Sequence, residues 1–309
     1  MTAQAERTAA PGWRARLARR FNYEERSALL FLLPLAVVLC AVAVFSIGYA
    51  FYLSLFRLKL TQPARVPFVG ADNYIMLLRD PTFWSAVART AYFAVVVVVA
   101  TTVLALLVAL LLNETFRGRR LVAALLLVPW AIPSVANGLM WKWIYNPDYG
   151  ALNGALLQLG IIGRYIVWLG DPGKTLLLIA NALVWKEVPL AGILLLVTMK
   201  AVPADLYRAA KVDGANVCQR FLHVTLPTLR AGFLLVVVFV SMIAVRQFDL
   251  FYLLTEGGPG DASSVAAWQV YVESFRNLSF GTGSALAYLL AIAVFALSWV
   301  VIRALGRRL

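Results

Sequence analysis

Six long apolar runs limit what this chain can fold into more than any other feature of it. They cover about 28–56, 90–112, 121–141, 175–199, 231–254 and 282–302. A helix crossing a hydrocarbon layer of about 30 Å needs about 20 residues at 1.5 Å each. Backbone groups in lipid must be satisfied within the segment, and these runs lack the two-residue alternation of barrel strands. The pattern therefore predicts an all-α polytopic membrane protein with six transmembrane helices. Composition excludes the soluble alternative: 62% of residues are hydrophobic and 14% charged, against about 45–50% and about 25% in ordinary globular domains. The net charge of +13 does not indicate nucleic acid, since the basic residues sit between apolar runs rather than on one polar surface.

The distribution of those basic residues sets an orientation. Seventeen of the 28 fall in the N-terminal tail, the short loop 117–120, the loop 200–230 and the C-terminal end, all on one side; nine spread over the opposite, longer loops. The denser side is cytoplasmic, which places both termini inside a bacterial or archaeal cytoplasmic membrane. The chain divides into a cytoplasmic tail (1–27), a six-helix membrane domain (28–305) containing the loop 200–230, and a short cytoplasmic end (306–309). Arg14, Arg16, Arg19 and Arg20 precede the first run as in a secretory signal. That run is too long for a signal core, however, and reads as a retained span. Cys40 and Cys218 form no disulfide framework and no metal motif.

Two tempting sites dissolve on inspection. Gly170-Asp-Pro-Gly-Lys-Thr175 ends like a phosphate-binding loop, but position 168, where that loop requires glycine, is Trp. The segment reads as a helix start. His223, the single histidine, has no neighbouring Cys or carboxylate cluster for metal or acid–base work. On the outer side, the Gly257, Gly258, Pro259 and Gly260 cluster predicts turn rather than helix through 255–279, with Ser263 on an accessible outer surface.

The cytoplasmic loop 202–227 carries the strongest functional signal. It parses as two short helices: a start at Pro203 and Asp205, a small-residue face of Leu206, Ala209, Ala210 and Val212, a break at Gly214, then Val217, Phe221 and Val224 on one stripe before Leu226-Pro227 closes it. Such a shape lets another protein's groove approach closely. This loop resembles the coupling loop of ABC-transporter permeases, specifically the binding-protein-dependent carbohydrate permeases of the maltose and glycerol-phosphate type. The matching residues are Ala209-Ala210, Asp213-Gly214 and Leu226-Pro227, with Arg208 in place of the family's usual Glu. The resemblance extends along the chain through Val69 to Tyr74, Pro129 to Ser134, Trp141 to Asn153 and Phe248 to Pro259.

The resemblance implies a type I ABC importer permease fold and a non-enzymatic role. The partners it implies are a second permease subunit in a heterodimer, two ATPase subunits and an extracytoplasmic solute-binding protein, all working in a lipid bilayer and without nucleic acid. The chain itself holds no cofactor and no metal; ATP and Mg are bound by the partner ATPase. The coupling residues implied are Asp205, Leu206, Tyr207, Arg208, Ala209, Ala210, Asp213, Gly214, Ala215, Leu226 and Pro227.

Ionisable residues within the runs mark the solute's route, because each costs about 2.5–3.5 kcal/mol at a helix centre unless it faces a cavity or a partner. Lys186 and Glu187 lie in the fourth run; Arg246 and Asp249, three apart in the fifth, can pair on one helical face. Sugar recognition needs planar polar groups and aromatic faces together. Trp130, Ser134 and Asn137, Trp185 and Glu187, and Arg246, Gln247 and Asp249 supply that mixture. The family's substrate-contacting positions align with Trp130, Ser134, 185–190, Arg246 and Gln247. The reading is an ATP-driven importer of a di- or oligosaccharide, neutral because each buried cation has a carboxylate nearby. An anionic sugar derivative such as glycerol phosphate or a uronate, an ion-coupled secondary transporter and a membrane-embedded enzyme are the alternatives.

Overall fold

The computed structural model of the 309-residue chain describes residues 23–62 and 64–306. The tail arginines up to Arg20, and Arg307 and Arg308, which enter the orientation argument, lie outside the described residues. The chain divides into two compact units, Met1–Tyr52 and Leu53–Leu309.

In the first unit lies nearly all of α1 (Tyr23–Ser54), whose segment Leu30–Ser54 is long and apolar enough to cross a membrane. The second unit contains α2 (Asp72–Arg79), α3 (Pro81–Asn113), α4 (Arg119–Ala131), α5 (Ser134–Ile144), α6 (Ala151–Gln158), α7 (Pro172–Lys200), α8 (Ala204–Val212) and α9 (Val217–Thr228). It continues with α10 (Arg230–Val245), α11 (Asp249–Leu254), α12 (Ala266–Tyr271) running on into a π-helical turn (Val272–Arg276), and α13 (Phe280–Gly306). Among the described residues the only extended pairings are two isolated bridges, Phe56 with Phe68 and Lys59 with Ser279.

Helices α3 and α7 form the centre, with α10 packed on both. The buried positions of α3 include Ala86, Thr90, Ala94, Val97, Thr101, Ala105 and Ala109, spaced three or four apart on one face and mostly small. In lipid, where apolar burial alone gives helices little reason to associate, such residues let backbones come close enough for dispersion to hold them. Gly192 of α7 shows how close: a Cβ there would stand 2.7 Å from Val108 Cγ1 on α3. Gly232 of α10 meets Thr198 of α7 in the same way, with a Cβ 2.7 Å from Thr198 Oγ1.

The four runs expected as single helices at α1, α3, α7 and α13 are so; the other two are not. The run 121–141 is split into α4 and α5, which meet at 94°. Pro133 causes the break. It disfavours helical geometry at Ile132, which takes an extended conformation with ψ 129°. The run 231–254 is split as well: α10 stops at Val245 and α11 starts at Asp249. Arg246 follows the negative end of α10 and Asp249 opens α11 at its positive end. Each charge therefore suits a helix terminus, and the two residues do not share a helical face as their spacing suggested.

The segment after α11 also differs from expectation. Turns occupy 255–265, including a cis peptide between Gly258 and Pro259, but 266–276 is helical. Ser263 is fully buried, its Oγ donating to the Gly258 carbonyl at 2.7 Å and lying 2.8 Å from Thr255 Oγ1. It fastens the loop and is not an accessible surface residue.

Candidate translocation path and docking surface

The two helix breaks interrupt apolar runs and bring polar side chains beside them. At the first break, Trp130 is exposed and Ser134 half-buried. Lys186 of α7 reaches across, its Nζ donating to the Trp130 carbonyl at 3.4 Å. Trp185 is half-buried and meets Trp141 of α5 edge-on, with ring centroids 5.9 Å apart. The strip continues through Asn181, exposed on α7, whose Nδ2 donates to Tyr145 Oη at 3.0 Å. Asn181 and Trp185 are four apart and so share a helical face. An Asn one turn before a Trp in an apolar run was a usable signal that the charge-based reading passed over.

Glu187 lies six residues from Asn181, about 240° round the helix at 100° per residue. It is accordingly 4% exposed and turned into the packed interior. Its Oε2 has no hydrogen-bond partner among the described residues, and neither do Asn137 Oδ1 and Trp141 Nε1. Asn137, fully buried on α5, donates through Nδ2 to the Ala182 carbonyl of α7 at 3.3 Å. Gln247 is buried, Asp249 half-buried and Arg246 exposed. The structure thus groups Trp130, Ser134, Trp185 and Lys186 with Asn181 on an open strip, and sets Asn137 and Glu187 behind it.

Neither expected ion pair is present. The described salt bridges are Lys174 with Asp171, Arg208 with Asp205 and Arg276 with Glu256. Arg246 has no partner among the described residues, and Lys186 is occupied by a carbonyl rather than by Glu187.

Asn153 ties the loop between α5 and α7. Fully buried, its Nδ2 donates to the Asn146 and Ile166 carbonyls at 3.3 and 3.0 Å. Its Oδ1 accepts from Ile166 N and Trp168 Nε1 at 3.1 and 2.9 Å. Asp171 then caps α7, accepting from Gly173 N at 2.9 Å and pairing with Lys174 at 3.1 Å, so segment 170–175 is the helix start its sequence suggested. The Lys174 hydrogen bond and the Gly173 amide hold the Asp171 carboxyl below its ordinary range. Thr90 fastens α3 to α12: Oγ1 donates to the Ala86 carbonyl at 2.7 Å and accepts from Ala266 N at 2.9 Å.

The loop between α7 and α10 folds as two helices, α8 and α9, around Gly214. That residue has φ +75° with open space where a Cβ would stand, a conformation glycine alone takes at no steric cost. Asn216 opens α9 with a full capping box, its side chain accepting from Gln219 N and Gln219 Oε1 accepting from Asn216 N, both at 2.8 Å. Such a cap contributes about 1 kcal/mol. Leu226 and Pro227 do not end the helix as expected; α9 runs through them to Thr228, with a π-helical turn at Phe221–Thr225 immediately before. Pro227 brings no N–H to the ladder, and a widened turn is how a helix absorbs such a defect. His223 is exposed, its Nδ1 donating to the Gln219 carbonyl one turn back at 3.0 Å.

Leu206, Ala209, Val212 and Val217 are exposed on this hairpin, Val212 to 88%. Charged Asp205, Lys211 and Asp213 surround them, and Arg208 pairs with Asp205 one turn back. The departure at Arg208 is thereby neutralised within α8. Tyr207 is half-buried, its hydroxyl 3.0 Å from Thr225 Oγ1, joining α8 to α9.

The family model described as binding-protein-dependent transport system inner membrane component matches residues 101–308. The chain is 35% identical over 289 residues to the trehalose/maltose transport system permease protein MalF of Thermococcus litoralis, covering 93% of this chain and 96% of that one. It is 33% identical to the sulfoquinovosyl glycerol transport system permease protein SmoG of Agrobacterium fabrum, covering 89% and 87%. It is also 33% identical to the trehalose transport system permease protein SugA of Mycobacterium tuberculosis, covering 92% and 90%. In fold it is similar to a chain of a bacterial ABC transporter involved in import of the acidic polysaccharide alginate, with TM-score 0.78 and 20% identity over 94% of this chain and 99% of that one.

Proposed function

Because the chain belongs to the family of binding-protein-dependent transport system inner membrane components, we propose that it is the permease subunit of an ATP-driven importer carrying a di- or oligosaccharide across the cytoplasmic membrane. The observation that carries the reading is the near full-length similarity to permeases of sugar transport systems. The termini lie in the cytoplasm, and the outer loops fixed by Asn153 and Ser263 face a solute-binding protein. The chain pairs with a second permease, and two ATPase subunits dock below.

The α8–α9 hairpin is the docking element. Its exposed Leu206, Ala209 and Val212 enter an ATPase cleft, and the sharp turn at Gly214 holds the two helices at the angle that cleft needs. Closure of the ATP-bound ATPases moves the hairpin as a rigid piece, and α9 passes the movement into α10 through the 62° bend at Leu229. The permease alternates between two packings of its helices, biased by contacts that differ between the states. ATP and Mg supply the chemistry in the ATPase, and this chain performs none.

A second reading of the substrate has its own support. Arg246 is exposed without a carboxylate partner at the second break, and Lys186 on the open strip hydrogen-bonds a carbonyl and forms no salt bridge with Glu187, so the exposed charges at the two breaks are cationic. That favours an anionic sugar derivative over the neutral one expected from the spacing of charges.

Gly214→Val tests the docking role. A β-branched residue at φ +75° costs about 1–3 kcal/mol and meets no clash, so the hairpin is re-angled without disturbing the bundle. Uptake into vesicles falls while the complex still assembles. Wild-type uptake by the variant would refute the assignment of this loop.

A further inference from the structure

Aromatic rings form an unbroken series between the outer turn before α13 and the break at 246–248. Phe275 meets Tyr271 at 5.5 Å between centroids, Tyr271 meets Phe248 at 5.0 Å, and Tyr252 lies 5.5 Å from both Tyr271 and Phe248. Phe248 is two residues from exposed Arg246. Trp268 lies beneath, stacked on Tyr271 at 5.5 Å and only 4% exposed. Away from that buried base the rings open outward: Tyr252 is 40% and Phe275 61% exposed.

Two further observations separate this series from a packed core. The hydroxyls of Tyr252 and Tyr271 have no hydrogen-bond partner among the described residues. Beside them the Arg276 guanidinium pairs with Glu256 and sits 4.9 Å over the Trp268 ring, with both members of the pair largely open to solvent. Hydrogen bonding from the Glu256 carboxylate holds the Arg276 guanidinium above its ordinary range, with smaller contributions of the same sign from Tyr271 and Tyr252 that place both phenols close by. Phe248 and Tyr271 are half-buried against the core, but the open rings of Tyr252 and Phe275 beside unspent hydroxyls and a planar, solvent-facing ion pair form a combination that apolar packing does not require.

We propose that Phe275, Tyr271, Tyr252 and Phe248, flanked by the Arg276–Glu256 pair, form a carbohydrate track on which the pyranose rings of the solute stack as they pass from the outer mouth to the helix break. The inference rests on the sugar-importer reading above and deepens it. The C–H face of a pyranose is apolar and fits a ring, and its hydroxyl edge finds the phenols, guanidinium and carboxylate at the rim. Rings about 5 Å apart hand a sugar from one to the next without a deep well. Weak sites in series are the condition for passage as opposed to retention.

The test uses the complete complex of permeases, ATPases and binding protein in vesicles, with labelled maltose, trehalose and an alginate oligosaccharide as probes. Tyr252→Leu and Phe275→Leu each lower the uptake of at least one probe about tenfold, the equivalent of about 1.4 kcal/mol of lost stacking. Tyr252→Phe, which keeps the ring and loses the hydroxyl, falls between Tyr252→Leu and wild type. Recovery of intact complex after extraction serves as the check on folding. Trp143→Leu is the control, since Trp143 is an exposed ring outside the series and removing it leaves uptake unchanged. Wild-type uptake by both leucine variants would overturn the track while leaving the importer reading standing. A wild-type complex that accumulates none of the three sugars would overturn both.

Discussion

Asn153→Ala is the perturbation whose size is best defined, because one buried side chain makes four hydrogen bonds that tie segment 166–168 to Asn146. Each neutral bond is worth about 1 kcal/mol net, and a donor left buried without a partner costs about 1–3 kcal/mol. The substitution strands Ile166 N and Trp168 Nε1 and frees the Ile166 carbonyl, while the Asn146 carbonyl keeps its bond from Gly150 N. The loop around Asn153 is partly open to solvent and can admit water, so the cost falls at the low end of the sum, about 3–4 kcal/mol. At 1.4 kcal/mol per tenfold that is a loss of roughly 140- to 700-fold in protection of the Ile166 amide. Hydrogen exchange read by mass spectrometry on protein in nanodiscs measures it. Core amides of α3 and α7 are unaffected, since their packing does not pass through Asn153. Unchanged protection at Ile166 would refute the reasoning, as would a loss spread equally over α3 and α7.

Gly192→Ala places a methyl 2.7 Å from Val108 Cγ1; the overpacking costs about 1–3 kcal/mol and appears as a lower midpoint in thermal aggregation of the detergent-extracted protein, while Gly48→Ala, with nothing within 4 Å, leaves the midpoint in place. Arg246→Ala abolishes uptake, and adding Asp249→Ala does not restore it, because no pair joins them; full rescue by the double variant would show a pair that the structure lacks. Asp261→Cys, at an exposed position of the outer turn, reacts with an impermeant maleimide added outside intact cells, whereas Ser263→Cys stays protected until unfolding. Labelling of Asp261→Cys only after lysis would invert the orientation.

The contrast between Asp261 and Ser263 shows where sequence reading succeeded and where it stopped. Apolar length alone located α1, α3, α7 and α13, because a bilayer demands little else of a helix. The hairpin around Gly214 was equally legible, since its glycine and the small-residue face act locally. Pro133 did carry a signal for the α4–α5 break, but the apolar run on both sides outweighed it. The break after Val245 was hidden because Arg246 and Asp249 fit two patterns at once, a helical pair at three-residue spacing and the charges that favour helix termini. Only packing of the pieces decides between them. Ser263 was misplaced for a related reason: a serine among glycines looks solvated until a tertiary fold supplies Gly258 and Thr255 as partners. Glu187 and Asn181 required the rotation of α7 about its axis, which an almost uniformly apolar helix does not disclose.

The central claim, that this chain conducts sugar inward under the drive of a docked ATPase, is tested most directly by reconstituting the chain in vesicles with its partner permease, the ATPase subunits and the binding protein, and measuring labelled sugar in the lumen. With the ATPases facing the external medium, the binding protein and sugar enclosed, and ATP supplied outside, the account predicts that luminal sugar is exported to the ATPase side only when both ATP and binding protein are present, and that Gly214→Val abolishes the flux. Sugar movement that ignores ATP and follows an imposed proton or sodium gradient would contradict the account.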